Sequence, residues 1–117
     1  LTYLSESRHI LASQTTAVST VKTYIESHLS EELDRDTLAS MVYLNADYLS
    51  HLFKKDTGSS LINYIIDRRI ARSKELLLKG EMNIRDIAIT CGFQNISYFS
   101  RQFKKSTGMT PRQFRKQ

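Results

Sequence analysis

Part of this chain is written twice. Tyr48, Ser50, Phe53, Lys54, Lys55, Thr57 and Gly58 return fifty residues later as Tyr98, Ser100, Phe103, Lys104, Lys105, Thr107 and Gly108. Upstream the offset is forty-nine, pairing Asp34 with Asn83, Leu38 with Ile87, Ala39 with Ala88 and Leu44 with Phe93. The one-residue change falls in a turn, where an insertion is cheapest. The fold must therefore accommodate one unit in two copies. Each copy is a short capped helix, a tight turn, and a second helix with an aromatic inside and lysines outside.

The local signals are helical throughout. The chain has one proline and four glycines in 117 residues, and its β-branched runs are short. Val18, Val21, Ile25 and Leu29 recur at helical spacing and predict a first helix over Val18–Leu29. Asp34 is placed to cap a helix carrying Leu38, Ala39 and Val42. Asn45 caps the next, with Leu49, Leu52 and Phe53 inside, until Gly58 stops it. Ser60 opens a long helix ending at Gly80, with Ile62, Ile66, Ile70 and Leu77 as its buried stripe and Ile65 and Leu76 widening it. Asn83 and Asp86 form a capping-box-like pair, and that helix ends at Gly92. Asn95 opens a helix with Ile96, Phe99 and Phe103 inside. Thr110, Pro111 and Gln113 combine a cap, a proline at the first helical position and a capping box. The expected fold class is all-α: seven helices forming two helix-turn-helix units joined by a long central helix. The domain expectation is a linker remnant of a longer parent protein over residues 1–17, with a short helix about Ser7–Ala12. The first unit follows over 18–58, the connecting helix over 59–80 and the second unit over 81–117.

Composition narrows the function. Arg8, Lys22 and Arg35 face seven acids in residues 1–47, whereas residues 48–117 hold fourteen basic residues and five acids. From Ile87 to the end there are six basic side chains and no acid. A field of that sign attracts a polyanion. The lone Cys91 excludes an intramolecular disulfide and a multi-cysteine metal site, and fits a reducing, cytoplasmic compartment. No segment is apolar enough to span a membrane. There is no Ser/His/Asp arrangement, glycine-rich phosphate loop or His/Cys cluster, so no enzymatic activity, cofactor or metal is expected.

A helix–turn–helix pair repeated with its basic edge is the grammar of duplex DNA recognition, the second helix of each pair being the reader. The connecting helix, about nineteen residues at 1.5 Å each, is about 28 Å long. Successive major-groove faces lie about 34 Å apart, so one chain can serve two of them. The first reader's outward residues are Ala46, Asp47, Ser50 and His51, with Lys54 and Lys55 as phosphate candidates. Asp47 suits the helix N-terminus and repels phosphate, so capping comes first for it and base reading second. In the second reader Ser97, Ser100, Arg101 and Lys104 share an outward face. Arg101 is the strongest base-reading candidate, because its fork makes two hydrogen bonds to guanine. Ile96 either packs at the helix start or touches a thymine methyl, and Asn95 is a cap or a contact. Ser100, Lys104 and Lys105 are backbone candidates. Arg68 and Arg72 on the connecting helix either reach phosphates or form salt links with Asp67 and Glu75. Cys91, beside Gly92, reads as a small buried hydrophobe.

LASMVYLNADYLSHLFKKDTG followed by IAITCGFQNISYFSRQFKKSTGMTPRQFR resembles the DNA-binding domain of the AraC/XylS family of bacterial transcription regulators, over about residues 18–117. The resemblance implies seven helices, two helix-turn-helix units and a long connecting helix. It also implies promoter binding, often as an activator that contacts RNA polymerase. Base-reading places of the family fall on Ala46, Asp47, Ser50 and His51 in the first reader, and on Asn95, Ile96, Ser97 and Arg101 in the second. Tyr43 departs from the pattern, since many members have glycine at that turn, and a positive φ there costs about 1 kcal/mol. Relatives often carry an upstream effector-binding, dimerisation or phospho-receiver domain. The alternative reading is a helical protein-interaction module that does not bind DNA. RNA binding is weaker, for want of an aromatic single-strand platform.

Overall fold

The computed structural model describes residues 16–117, and all the secondary structure in that span is helical. The expected linker and short helix about Ser7–Ala12 lie outside the described residues. Seven helices follow in order: α1 over 16–27, α2 over Arg35–Met41, α3 over Ala46–Thr57, α4 over Leu61–Lys79, α5 over Ile84–Thr90, α6 over Ile96–Thr107 and α7 over Pro111–Arg115.

Each short helix starts where a side chain satisfies an orphan N–H. Asp34 accepts from Thr37 N–H at 2.8 Å and from the Thr37 hydroxyl at 2.9 Å. These two bonds hold its carboxyl below the ordinary value of 3.8. Asn83 accepts from Asp86 N–H at 2.8 Å. At α7 both halves of the capping box are present, Gln113 N–H to Thr110 Oγ1 at 3.2 Å and Thr110 N–H to Gln113 Oε1 at 2.9 Å. Pro111 occupies the first helical position, where its missing N–H costs nothing.

The described chain divides into two compact units. One holds the residues through Ser27 together with Leu33–Leu61, the other His28–Glu32 together with Ile62–Gln117. In the first, Val18, Val21, Ile25, Leu38, Ala39, Leu49 and Phe53 are buried. In the second, the core gathers Ile70, Leu77, Ile87, Ala88, Cys91, Phe93, Phe99 and Phe103. Its aromatic rings form a chain. Phe93 and Phe99 have centroids 5.0 Å apart, Phe99 and Phe103 5.7 Å, and Phe103 and Phe114 5.3 Å edge to face. Rings at those separations gain quadrupole attraction beyond their burial.

Three expectations are corrected. The first helix ends at residue 27, and Leu29 lies beyond it, in a turn closed by Glu31 N–H to His28 C=O at 3.0 Å. Leu29 is therefore free to offer its own carbonyl to Arg69 Nε at 3.2 Å. On α4 the buried face begins at Leu61, and Ile62 is 58% exposed. The stripe is set by the register of Leu61, Ile65, Ile70, Ser73 and Leu77, one residue out of phase with Ile62. Ile96 on α6 is 41% exposed rather than inside, because Phe99 and Phe103 fix which face turns inward.

The duplication recurs in the helix stops and in the turn hydrogen bonds. Gly58 and Gly108 end α3 and α6 at φ 80° and 82°, each donating its N–H to Lys54 or Lys104 C=O at 2.8 Å. Thr57 Oγ1 donates to Phe53 C=O at 2.8 Å and accepts from Ser59 N–H at 3.1 Å. Thr107 does the same with Phe103 C=O at 2.9 Å and Met109 N–H at 3.1 Å. The turn between the paired helices also matches: Leu44 N–H reaches Ala39 C=O at 3.0 Å, and Phe93 N–H reaches Ala88 C=O at 2.9 Å.

Candidate nucleic-acid interface

In the first unit α2, a turn and α3 form one helix-turn-helix, and in the second α5, a turn and α6 form the other. Asn45 opens α3 by accepting from Asp47 N–H at 2.8 Å and Tyr48 N–H at 3.2 Å. Asn95 opens α6 by accepting from Tyr98 N–H at 2.7 Å. The Asn95 side-chain oxygen is thus used in capping, which leaves its amide N–H groups for a ligand.

On α3, His51, Lys54 and Lys55 are exposed, and Ala46 and Ser50 are half-buried. Asp47 is exposed and paired. Arg35, the first residue of α2, donates to Asp47 Oδ1 at 3.4 Å and to Ser50 Oγ at 3.1 Å. Two of the four sequence-derived contact residues of this helix are therefore already engaged by a guanidinium from the preceding helix. The pair is solvent-exposed and contributes little to stability. Its electrostatic effect is larger, because Arg35 cancels the one carboxylate that would repel phosphate from this face. Sequence reasoning missed Arg35. No local signal announces it, because the bond joins two separate helices and α3 itself carries two acids, Asp47 and Asp56, beside two lysines.

On α6, Ile96, Ser97, Arg101, Lys104 and Lys105 are exposed and Ser100 is half-buried. Ser97, Arg101 and Lys104 follow one another at spacings of four and three and form an outward ridge. Lys54, Lys55, Lys104 and Lys105 lie in the last turns of α3 and α6, where the helix dipole also favours cations. On α4, Arg72 donates to Glu75 at 2.8 Å, and both side chains are exposed. Arg68 is half-buried. Arg69 has a structural task instead: it donates to the carbonyls of Leu29 at 3.2 Å and Glu31 at 2.8 Å. Burial lowers its pKa from the ordinary arginine value.

The two turns carry different residues at the left-handed position. Tyr43 adopts φ 58° with its side chain 95% exposed, and Gly92 adopts φ 92°. A Cβ on Gly92 would lie 2.0 Å from the Leu29 carbonyl oxygen and 2.7 Å from Arg69 Nε. Glycine is required there by close approach, and by φ alone at neither turn. Cys91, adjacent, is fully buried, and burial pushes its thiol up to about 11. Among the described residues no group of three or more His, Cys, Asp or Glu side chains could hold a metal ion, and no helix is long and apolar enough to cross a membrane.

Comparison with known proteins agrees with this geometry. The family model for the helix-turn-helix domain matches residues 38–117. The chain is 44% identical over 92 residues to an uncharacterized HTH-type transcriptional regulator, YobQ, of Bacillus subtilis (strain 168), a match covering 79% of this chain and 38% of YobQ. The chain spans less than half the length of such curated relatives. The C-terminal domain of AraT, a response regulator from Geobacillus stearothermophilus, superposes with a TM-score of 0.82 at 34% identity, covering 86% of this chain and 84% of that domain. The DNA-binding domain of AdpA, a global transcriptional factor solved in complex with a target DNA, superposes with a TM-score of 0.81 at 25% identity, covering 85% of this chain and 89% of that domain. The duplicated caps, turns and exposed basic helices thus agree with the family match, and the chain belongs to the helix-turn-helix domain family, as a DNA-binding regulatory domain homologous to several transcription factors.

Proposed function

We propose that this chain is the sequence-specific, double-stranded-DNA-binding domain of an AraC/XylS-type bacterial transcription regulator, acting in the cytoplasm as an activator at promoters. Two readers, α3 and α6, each take a segment of the major groove. The observation that carries this reading is the duplication itself. Two copies share their caps, turn geometry and glycine stops, and each keeps a pair of exposed lysines at the end of its second helix. The caps and glycines serve the fold in both copies, and the lysines, which the helix dipole also favours, give each second helix the same exposed basic end for phosphate.

The division proposed is a linker over residues 1–17, a first unit over 18–58, a connecting helix over 59–80 and a second unit over 81–117. Base edges are read chiefly by α6, through Arg101 with Ser97 and a methyl contact from Ile96, and with Asn95 at the helix start. On α3 the readers are His51 and Ala46, with Asp47 and Ser50 acting through Arg35. Lys54, Lys55, Arg68, Arg72, Ser100, Lys104 and Lys105 serve the phosphates. An upstream receiver, effector-binding or dimerisation domain in the parent protein supplies the signal, and RNA polymerase is the downstream partner. No cofactor is needed. The superposition on a response regulator's C-terminal domain supports a receiver as one such upstream part.

Selection from a pool of random duplexes by the purified chain tests this reading. It predicts convergence on one sequence with two separated blocks of preference, the stronger lying under α6. Recovery of the starting pool, with a discrete protein complex in a pulldown instead, would overturn it.

A further inference from the structure

In the second unit α5, α6 and α7 enclose an open concavity of about 670 Å³. Ile84, Ile96 and Pro111 give it an aliphatic floor, and Ser100 contributes a hydroxyl. Asn83 and Thr110 add polar groups, and three guanidinium groups, from Arg85, Arg112 and Arg115, complete the lining, which contains no carboxylate and no aromatic ring. Arg115 has a structural task, donating to the carbonyls of Leu77 and Met82. Arg85 and Arg112 are exposed, on α5 and α7.

The repeat supplies an internal control. In the first copy Asp36 stands in the register of Arg85, Ile62 in that of Arg112, and Ile65 in that of Arg115. Ser50 matches Ser100, and the one arginine in the first copy's equivalent set, Arg35 in the register of Ile84, is engaged by Asp47 and Ser50 within its own unit. A requirement of helix packing would have placed similar residues in both copies. The arginines therefore answer to something that only the second copy meets. An aliphatic floor with a cationic rim and no ring for stacking fits a chain that alternates sugars and phosphates, and offers nothing to a free base or an aromatic ligand.

We infer that this concavity is a cradle for the sugar–phosphate backbone of one strand of duplex DNA, with Arg85 and Arg112 as its phosphate contacts. The inference rests on the DNA-binding reading above and adds residues which that reading does not contain. It gives α6 two separate edges. Ile96 and Ser100 line the cradle and meet backbone, whereas Ser97 and Arg101 meet base edges, so the thymine-methyl role proposed for Ile96 becomes a deoxyribose contact. It also makes the two units unequal: the second grips a strand where the first presents Asp36 and Ile62.

The test is fluorescence anisotropy with the full 117-residue chain, on its selected duplex and on a scrambled one, across a KCl series. Removing one phosphate contact makes the slope of log affinity against log salt shallower by about 0.9, a loss of about eightfold at 0.1 M relative to 1 M. Arg85→Ala and Arg112→Ala are each expected to show that change equally on both duplexes, and the double variant about twice it. Lysine at either position is expected to restore the slope. Methylphosphonates at the contacted phosphates are expected to weaken the wild type and leave the double variant unchanged. A wild type that binds while the double variant keeps the same slope overturns the cradle alone. A loss confined to the selected duplex also overturns it, by making these arginines base readers. A wild type that binds no duplex overturns the DNA-binding reading and the cradle with it.

Discussion

Gly92→Ala and Tyr43→Gly are opposite substitutions at equivalent turns, and the structure predicts effects of opposite sign. An alanine at position 92 meets a left-handed backbone, which costs a non-glycine residue about 1–2 kcal/mol. The stiffer unfolded chain returns about 0.4–1 kcal/mol of that. The larger cost is steric. Its Cβ would lie 2.0 Å from the Leu29 carbonyl oxygen and 2.7 Å from Arg69 Nε. Separating them stretches the bonds from Arg69 to the carbonyls of Leu29 and Glu31, and a hydrogen bond to a charged group contributes about 1.5–3 kcal/mol. With partial exposure of that guanidinium taken into account, the expected loss is about 3 kcal/mol. At position 43 the exposed ring has no packing to lose, so Tyr43→Gly relieves about 1–2 kcal/mol of backbone strain against about 0.5–1 kcal/mol of added chain entropy. The net is a gain of about 0.5–1 kcal/mol. Urea unfolding followed by far-UV circular dichroism reads both, with the midpoint moving and m unchanged. Because Arg69 makes one of the two collisions, Gly92→Ala is expected to cost less in an Arg69→Ala background. A Gly92→Ala chain within 0.5 kcal/mol of wild type would refute the close-approach reasoning, as would a destabilised Tyr43→Gly chain.

Other consequences are more local. Asn95→Ala removes the cap of α6 and is expected to cost about 1 kcal/mol, measured as a lower urea midpoint; no change would mean that Asn95 is held for contact alone. Cys91, fully buried with its thiol pushed up to about 11, is expected to resist a thiol reagent at pH 8 in native buffer and to react promptly in denaturant; equal rates in both would contradict the burial. Arg101→Ala is expected to lose about 1–3 kcal/mol on the selected duplex and far less on a scrambled one. Equal losses would move Arg101 to the backbone.

The parts of the fold governed by neighbouring residues were legible in the sequence. Asn45, Asn95, Asp34, Asn83 and Thr110 announce helix starts because a cap is a bond made within three residues, and Gly58 and Gly108 announce stops because their φ is positive. What escaped depends on distant partners. The burial of Leu61 instead of Ile62 is a matter of helix phase, set by what α4 packs against. The bond from Arg35 to Asp47 and the reach of Arg69 to the Leu29 carbonyl join separate helices, and no local pattern announces them. The candidate site divides the same way. The exposed ridge of Ser97, Arg101 and Lys104 follows from periodicity alone, whereas the engagement of Asp47 and Ser50 by Arg35 needed coordinates. The contrast of Arg85 and Arg112 with Asp36 and Ile62 was in the repeat all along, but it acquires meaning only when α5 and α7 border one hollow.

Hydroxyl-radical cleavage of the selected duplex, with and without the bound chain, addresses the two-reader account most directly. Two protected patches on one face of the duplex, centred about one helical turn or 10 base pairs apart, are the predicted result. One patch that spans a single half-site at saturating protein would contradict it.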